Sequence, residues 1–421
     1  MIRDGSEPDF PIRFYIPEYL YNFYGVFCLR PSCDPSKFVA DVMKEIPPSG
    51  IRRFFDLVSG LEDVISLGVG EPDFITPWHI REMCIHSLEK GQTSYTSNYG
   101  LPELRDELTR TYYRRYGLDY NPSSEILITT GVSEALDIAV RTVVNPGDEV
   151  IIVQPSYVAY MPSVILAGGK PVIVSTHRDD EFSLTAESLK PAITDKTKAI
   201  ILNFPNNPTG AIMSKEGLED IADLVVENDL FVISDEVYEC LTYEGKHVPL
   251  SSLEGMKERT VMLNGFSKAY AMTGLRLGFA MGSPEIIHSM MMIHQYCMMC
   301  APVTAQVGAI EALRHGKDEM ERMVREYDRR RHFIVRGFNR IGLECCNPKG
   351  AFYAFPYIGN TGLSSSEFAE RLLDEKKVVA IPGDAFGEAG EGFLRCAYAA
   401  STNDIRKALD RMEDFVDGLK Q

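Results

Sequence analysis

The sequence predicts an α/β protein: a large domain with a mainly parallel seven-stranded sheet between helices, plus a smaller α+β domain formed by N- and C-terminal parts. Three observations carry this. Seven short runs rich in β-branched residues alternate with helical stretches from Ile126 onward. Most of these runs are apolar throughout rather than alternating, as expected of strands covered on both faces. After about Lys317 that alternation stops, and a long charged segment leads into shorter strands and helices.

In chain order, residues 1–45 read as an N-terminal extension, rich in aromatics and prolines (FPIRFYIPEYLYNFYGVF) and without helical or strand periodicity. Residues 46–77 and 318–421 are assigned to the small domain and 78–317 to the large one. The strand candidates are EILITT, EVIIVQP, PVIVST, AIILNFP, FVISDE, TVMLNGF and RLGFAMG. Between two of them, SKEGLEDIADLVVENDL sets Leu218, Ile221, Leu224 and Val225 on one helical face. Ser283-Pro284 reads as an N-cap followed by a first-turn proline. DEMERMVREYDRRRHFIVRGFNRIG reads as a long helix linking the two domains, its charges forming a solvated face.

Composition narrows the function. A chain of 421 residues exceeds one ordinary core and suits two domains. With 43 Lys plus Arg against 60 Asp plus Glu, the net charge is -17, which argues against nucleic acid as a partner. Nine cysteines, an odd number at irregular spacing, suit reduced thiols and a cytoplasmic protein. Cys297 and Cys300 form a lone CxxC in CMMCAP, with His294 just before; without a second pair this reads as a buried helix segment, and no metal is expected. No apolar run reaches membrane-spanning length, and no signal peptide is evident.

Ligands of parallel α/β domains gather outside the C-terminal ends of the strands. Polar constellations fall there. EILITTGVSEALDIA runs strand, glycine turn, helix, so Gly131, Val132 and Ser133 would offer amides and a hydroxyl at a helix N-terminus, which suits a phosphate or marks a plain tight turn. AIILNFPNNPTG ends a strand in a dense turn that carries Asn207. FVISDEVYE places Asp235 at the end of the next strand, with Tyr238 three positions on; a carboxylate there needs a cation or several donors to stay ionised. TVMLNGFSKAYAMTGLRLG then presents Ser267, Lys268 and Arg276. A lysine after a buried strand, near a serine and an arginine and facing that carboxylate, is a candidate Schiff-base former.

With these residues in hand, the sequence resembles the fold-type-I aminotransferases (class I/II), specifically the group containing bacterial and archaeal aspartate and aromatic aminotransferases. The resemblance runs from about Ile46 to the C-terminus through PPSGIRRFFDL, LGVGEPDFITP, SYTSNYGLPELR, NFPNNPTG, SDEVYE, NGFSKAYAMTGLRLG, PKGAFYAF and GEGFLRCAYA, in order. It implies pyridoxal 5'-phosphate as cofactor and transfer of an amino group from an L-amino acid to a 2-oxo acid such as 2-oxoglutarate. Lys268 would carry the cofactor as a Schiff base and move the proton at the substrate α-carbon. Asp235 would pair with the pyridinium nitrogen. Tyr238 and Asn207 would hydrogen-bond the ring oxygen, and Tyr157 in QPSYVAY would stack on the ring. Val132, Ser133, Ser267 and Arg276 would hold the phosphate, joined by Tyr95 from the other subunit of a homodimer with shared active sites. Arg395 would grip the substrate α-carboxylate, with the Gly70 backbone nearby.

The chain departs from the family pattern at Gly265, where some members carry a hydroxyl residue. It also lacks both cations that dicarboxylate-selective subgroups use: His294 and Gln295 stand in place of one, Ser133 in place of the other. A broad or aromatic/aliphatic amino donor is therefore expected. The rival readings are a C–S lyase or related synthase on the same fold, a DNA-binding regulator, which would need a module that residues 1–45 lack, and a nicotinamide dehydrogenase, which would need a GxGxxG that TTGVSEA does not supply.

Overall fold

The structure is a computed structural model that describes residues 34–48, 50–51 and 63–420. The chain divides into two units, residues 1–44 and 45–421. In the first, the described residues form two short 3-10 turns, Pro35–Phe38 and Asp41–Lys44. The aromatic and proline-rich part of the extension, and most of PPSGIRRFFDL, lie outside the described residues.

The second unit is built around a seven-stranded sheet. Its strands are β2 (Ile126–Thr129), β3 (Glu149–Gln154), β4 (Lys170–Ser175), β5 (Thr197–Asn203), β6 (Phe231–Asp235), β7 (Thr260–Gly265) and β8 (Gly278–Met281), preceded in the chain by β1 (Ile65–Ser66). The order across the sheet is β2-β8-β7-β6-β5-β3-β4. β8 runs antiparallel to both neighbours, and the other contacts are parallel. All seven strand candidates are present.

Unbroken apolar runs are explained by burial on both faces. On one face Val150, Ile152, Ala199, Ile201 and Ile233 pack with Ala135, Ile138, Ala139 and Val140 of α3 (Val132–Val143). Alternate residues Ile151, Ile200, Leu202 and Val232 face the other way, onto Leu218, Ile221, Leu224 and Val225 of α6 (Lys215–Glu227). Between these two helices come α4 (Tyr160–Leu166) and α5 (Ala186–Leu189); before them, α1 (Trp78–Glu89) and α2 (Pro102–Tyr116). β4 differs: it is the sheet edge and largely open, and Pro171 sits where an edge strand tolerates a missing N–H.

The chain continues through α7 (Phe266–Ala269), α8 (Pro284–Cys297), α9 (Val303–His315) and α10 (Lys317–Arg340). Ser283 is the N-cap of α8 and Pro284 opens the helix, though the serine side chain makes no capping bond. Beyond α10, a three-stranded antiparallel sheet orders β11 (Ile381–Pro382), β12 (Leu394–Ala397) and β9 (Tyr353–Ala354), while β10 (Val378–Val379) pairs in parallel with β1. Helices α11 (Ser365–Lys376) and α12 (Thr402–Leu419) complete the unit.

Two expectations need correction. The charge run of α10 is not simply a solvated face: Arg330 and Arg331 are buried. Arg330 forks onto both oxygens of Asp73 at 2.8 Å, and Arg331 reaches Glu244 at 2.6 Å and the Pro348 carbonyl at 2.8 Å. A buried guanidinium survives only with such partners, and none of them is near in sequence except Glu326 and Asp328. The CMMC stretch is not a buried helix segment either. It lies at the frayed end of α8, where Cys297 is exposed and Met298 and Met299 are about half exposed. Of that region His294 alone is fully buried.

Candidate active site

Strand ends carry the site. At the C-terminal edge of the large sheet lies a cavity of about 520 Å³. Val132 and Ser133 enter it from the first turn of α3, and Tyr157 from the loop after β3. Asn207 comes from the turn after β5, and Asp235 and Tyr238 from the end of β6. Ser267, Lys268 and Arg276 follow β7, while Gly70, after β1, and Arg395, on β12, close the cavity. Of the residues expected here, Tyr95 alone lies elsewhere; it is 80% exposed and borders a separate groove. His294 and Gln295 do not line the cavity.

The turn after β2 has its shape for a steric reason. Gly131 adopts a φ of 79°, and a Cβ there would come within 2.5 Å of an Arg276 guanidinium nitrogen. Glycine thus lets the arginine lie against the first turn of α3, where backbone N–H groups have no intrahelical acceptor. Arginine and helix dipole together form an anion site.

Lys268 and Asp235 are both buried, and burial moves them in opposite senses. The Lys268 amine is pushed down to about 8, first by desolvation and then by the positive charges of Arg395 and Arg276. Its Nζ donates to the Gly70 carbonyl at 2.6 Å. The Asp235 carboxyl is pushed up to about 6 by desolvation, against the pull of its donors Tyr160 and Val237. Tyr160 Oη donates to Asp235 Oδ2 at 2.8 Å, and the Asn203 side chain donates to the Asp235 carbonyl, also at 2.8 Å. Just behind, Glu236 is held by His247 at 2.6 Å and by Ser234 at 2.9 Å, and Glu239 by Arg115 at 3.0 Å. These bonds pin the strand end that aims Asp235.

Arg395 is 2% exposed and flanked by the rings of Tyr353 at 4.6 Å and Phe386 at 4.8 Å. It donates to Asn207 Oδ1 at 3.1 Å and to the Gly68 carbonyl at 2.7 Å. Its Nε is buried with no partner among the described residues. An incompletely bonded guanidinium at a cavity wall suits a carboxylate ligand. Tyr238 Oη shares a 2.8 Å hydrogen bond with Tyr353 Oη, and burial keeps that phenol neutral by pushing it well up.

Sequence reasoning missed Tyr160 and Tyr353. Tyr160 opens α4 just after the Tyr157 loop, and the two rings meet at 5.7 Å. Tyr353 had no signal beyond its place in PKGAFYAF, because its hydrogen-bond partner Tyr238 is 115 residues away in sequence. Gly70 also differs in detail: the structure shows its carbonyl engaged by Lys268, and a Cβ there would meet Tyr353 Oη at 2.5 Å.

With this geometry the comparisons agree. The family described as aminotransferase class I and II matches residues 62–412. The chain belongs to that family. A putative aminotransferase of Bacillus subtilis (strain 168) is 51% identical over 90% of this chain and 99% of its own length. An aspartate aminotransferase of Pyrococcus abyssi is 46% identical, covering 89% of this chain and 97% of its own. The crystal structure of an aromatic aminotransferase from Pyrococcus horikoshii superposes with a TM-score of 0.84 at 45% identity, over 88% of this chain and 99% of that one.

This aminotransferase uses pyridoxal phosphate, and its residues fit that group. A buried carboxylate short of a cation suits a protonated ring nitrogen, and an amine of lowered basicity suits attachment to an aldehyde. An arginine against a glycine-led helix start suits a phosphate. Relatives named as aromatic-amino-acid and aspartate aminotransferases support transamination as the enzyme's reaction. Among the described residues, no helix of the aminotransferase is long and apolar enough to cross a membrane.

Proposed function

We propose that the enzyme carries pyridoxal phosphate on Lys268 and prefers aromatic or aliphatic amino donors, with 2-oxoglutarate as acceptor. The observation that carries the donor preference is the inventory of cations. Among the described residues, Lys268, Arg276 and Arg395 are the cavity-lining cations, and each has a task. Arg276 with Val132, Ser133 and Ser267 holds the phosphate. Arg395 with Asn207 and the Gly70 segment receives the α-carboxylate. Lys268 holds the cofactor and then moves the proton at the substrate α-carbon. When bound, the cofactor supplies an electron sink for the negative charge left at that carbon.

The protein's own groups do the remaining work. Asp235 keeps the ring nitrogen protonated, Tyr157 stacks on the ring and Tyr238 donates to its oxygen. Burial and the two arginines hold Lys268 near neutrality, where an amine both accepts and returns a proton. The rest of the wall includes Ile51, Leu136 and Val158 beside the acidic Glu71, so among the described residues a side-chain carboxylate finds no free cation.

A donor panel tests this reading. Tyrosine, phenylalanine, methionine and alanine should each convert the cofactor band of the purified enzyme to the amine form, with 2-oxoglutarate restoring it. Aspartate is expected to give a kcat/KM lower by about tenfold or more, the cost of one unmet charged hydrogen bond. Aspartate outcompeting the other four would sink the donor assignment.

The same proposal includes a cytoplasmic homodimer in which Tyr95 completes the neighbouring site, and a division into residues 46–77 plus 318–421 and 78–317. Supporting the dimer, Tyr95 and Tyr296 are 80% and 86% exposed, and Ile75, Trp78, Met298 and Met299 add further exposed apolar surface. Light scattering on a size-exclusion column is expected to give twice the chain mass of 47.2 kDa. A monomer that retains full activity would remove Tyr95 from the site.

A further inference from the structure

We propose that His294 is a positioning residue for the phosphate turn, acting through Glu134. The inference rests on the reading that this turn and Arg276 hold the cofactor phosphate. It concerns a buried pair that lies outside the cavity and that the chemistry above does not use.

Glu134 is the third residue of α3 and is 8% exposed. One carboxylate oxygen, Oε2, accepts the backbone N–H of Thr130, four positions back, so the side chain closes the turn that contains Gly131, Val132 and Ser133. The arrangement is a relative of the capping box, in which an acidic residue at this helix position reaches back to the turn before the helix. It fixes the turn while leaving the cavity side of Val132 and Ser133 free for a ligand.

That brace carries a charge. A carboxylate in the first turn is favoured by the helix dipole but would oppose a phosphate dianion held at the same turn. His294 answers it from α8. Its ring is fully buried, and Nδ1 stands 2.6 Å from Glu134 Oε1. An ionised carboxylate only accepts, so Nδ1 carries the hydrogen. The other ring nitrogen, Nε2, is buried with no partner among the described residues. A side chain kept only to fill that space would be apolar; the bond to Glu134 is what the imidazole contributes. His294 also roots the end of α8, its carbonyl accepting from the Met298 and Met299 amides at 2.8 and 3.0 Å. The pair therefore ties the phosphate turn to the exposed Met-rich segment.

The test uses cofactor-free full-length protein titrated with pyridoxal phosphate, and separately with inorganic phosphate, followed by fluorescence. His294→Phe should weaken both by about tenfold or more, the value of one charged hydrogen bond. His294→Gln, which still donates to Glu134, should stay within about threefold, and so should Glu134→Gln, which keeps the brace without its charge. In the Glu134→Gln background, His294→Phe should cost no more than about threefold, because no charge is left to offset. Unchanged affinity in a folded His294→Phe protein, judged by circular dichroism and Tm, overturns the proposal. So does an equal loss in both backgrounds, the mark of a merely structural role. If His294→Phe does not fold, a tenfold loss in Glu134→Gln still overturns the proposal. Arg276→Gln separates the parent reading: it should weaken binding at least as much as His294→Phe, and unchanged affinity there means that the phosphate sits elsewhere.

Discussion

Lys268→Ala is expected to lower kcat by on the order of 10⁴-fold or more, and to abolish the absorbance band of covalently attached cofactor. The reason is positional as much as chemical. Lys268 follows directly on β7 in a helix of one turn, and its Nζ is held at 2.6 Å from the Gly70 carbonyl. With its basicity pushed down to about 8, a useful fraction is neutral near physiological pH. Lys268→Arg is the informative companion. It keeps a cation but cannot lose its proton, so it should be as inactive as alanine. Spectra and single-turnover rates with a good donor check both. A Lys268→Ala protein with the wild-type band and turnover would mean that another amine carries the cofactor.

Asp235→Asn should divide function from stability. Activity is expected to fall by on the order of 10²–10³-fold, since a neutral amide no longer stabilises a protonated ring nitrogen where charge develops. The cofactor-free protein should instead gain stability. Burial raises the Asp235 carboxyl from 3.8 to about 6. Between those pH values the native state binds more protons than the unfolded chain, so stability drains away as pH rises through the window. Above about pH 6 the penalty is complete, at roughly 3 kcal/mol for a shift of this size. Asparagine carries no such penalty. The variant without cofactor should therefore be more stable than wild type at pH 7 by up to that amount, and the advantage should shrink toward pH 4. Urea unfolding across this range checks the sign. A destabilised variant at pH 7 would show that the carboxylate is already satisfied without a cation.

The sheet is legible because its strands are buried on both faces, and the candidate-site groups are legible because they sit at strand ends. Asp235, Lys268 and the Gly131 turn need only the rule that ligands gather at the C-terminal edge. Arg395, Gly70 and Tyr157 are different. Nothing local in FLRCAYA, GVGEP or QPSYVAY marks them, and they stood out by family resemblance. What stayed hidden depends on partners distant in the chain. The burial of Arg330 and Arg331 follows from Asp73, Glu244 and Pro348. The exposed CMMC stretch follows from α8 ending there, which an apolar sequence disguises. His294 drew notice as a possible ligand or specificity residue, yet its partner Glu134 lies 160 positions away.

The near-collision between Gly70 and Tyr353 constrains how this enzyme can drift. A methyl group at position 70 would strike the Tyr353 hydroxyl oxygen at 2.5 Å, whereas the next ring atom is 3.5 Å away, an ordinary contact. Alanine at 70 is therefore blocked while the tyrosine remains and admissible once phenylalanine replaces it. The two positions can change in only one order, and the first step costs Tyr238 its phenolic neighbour.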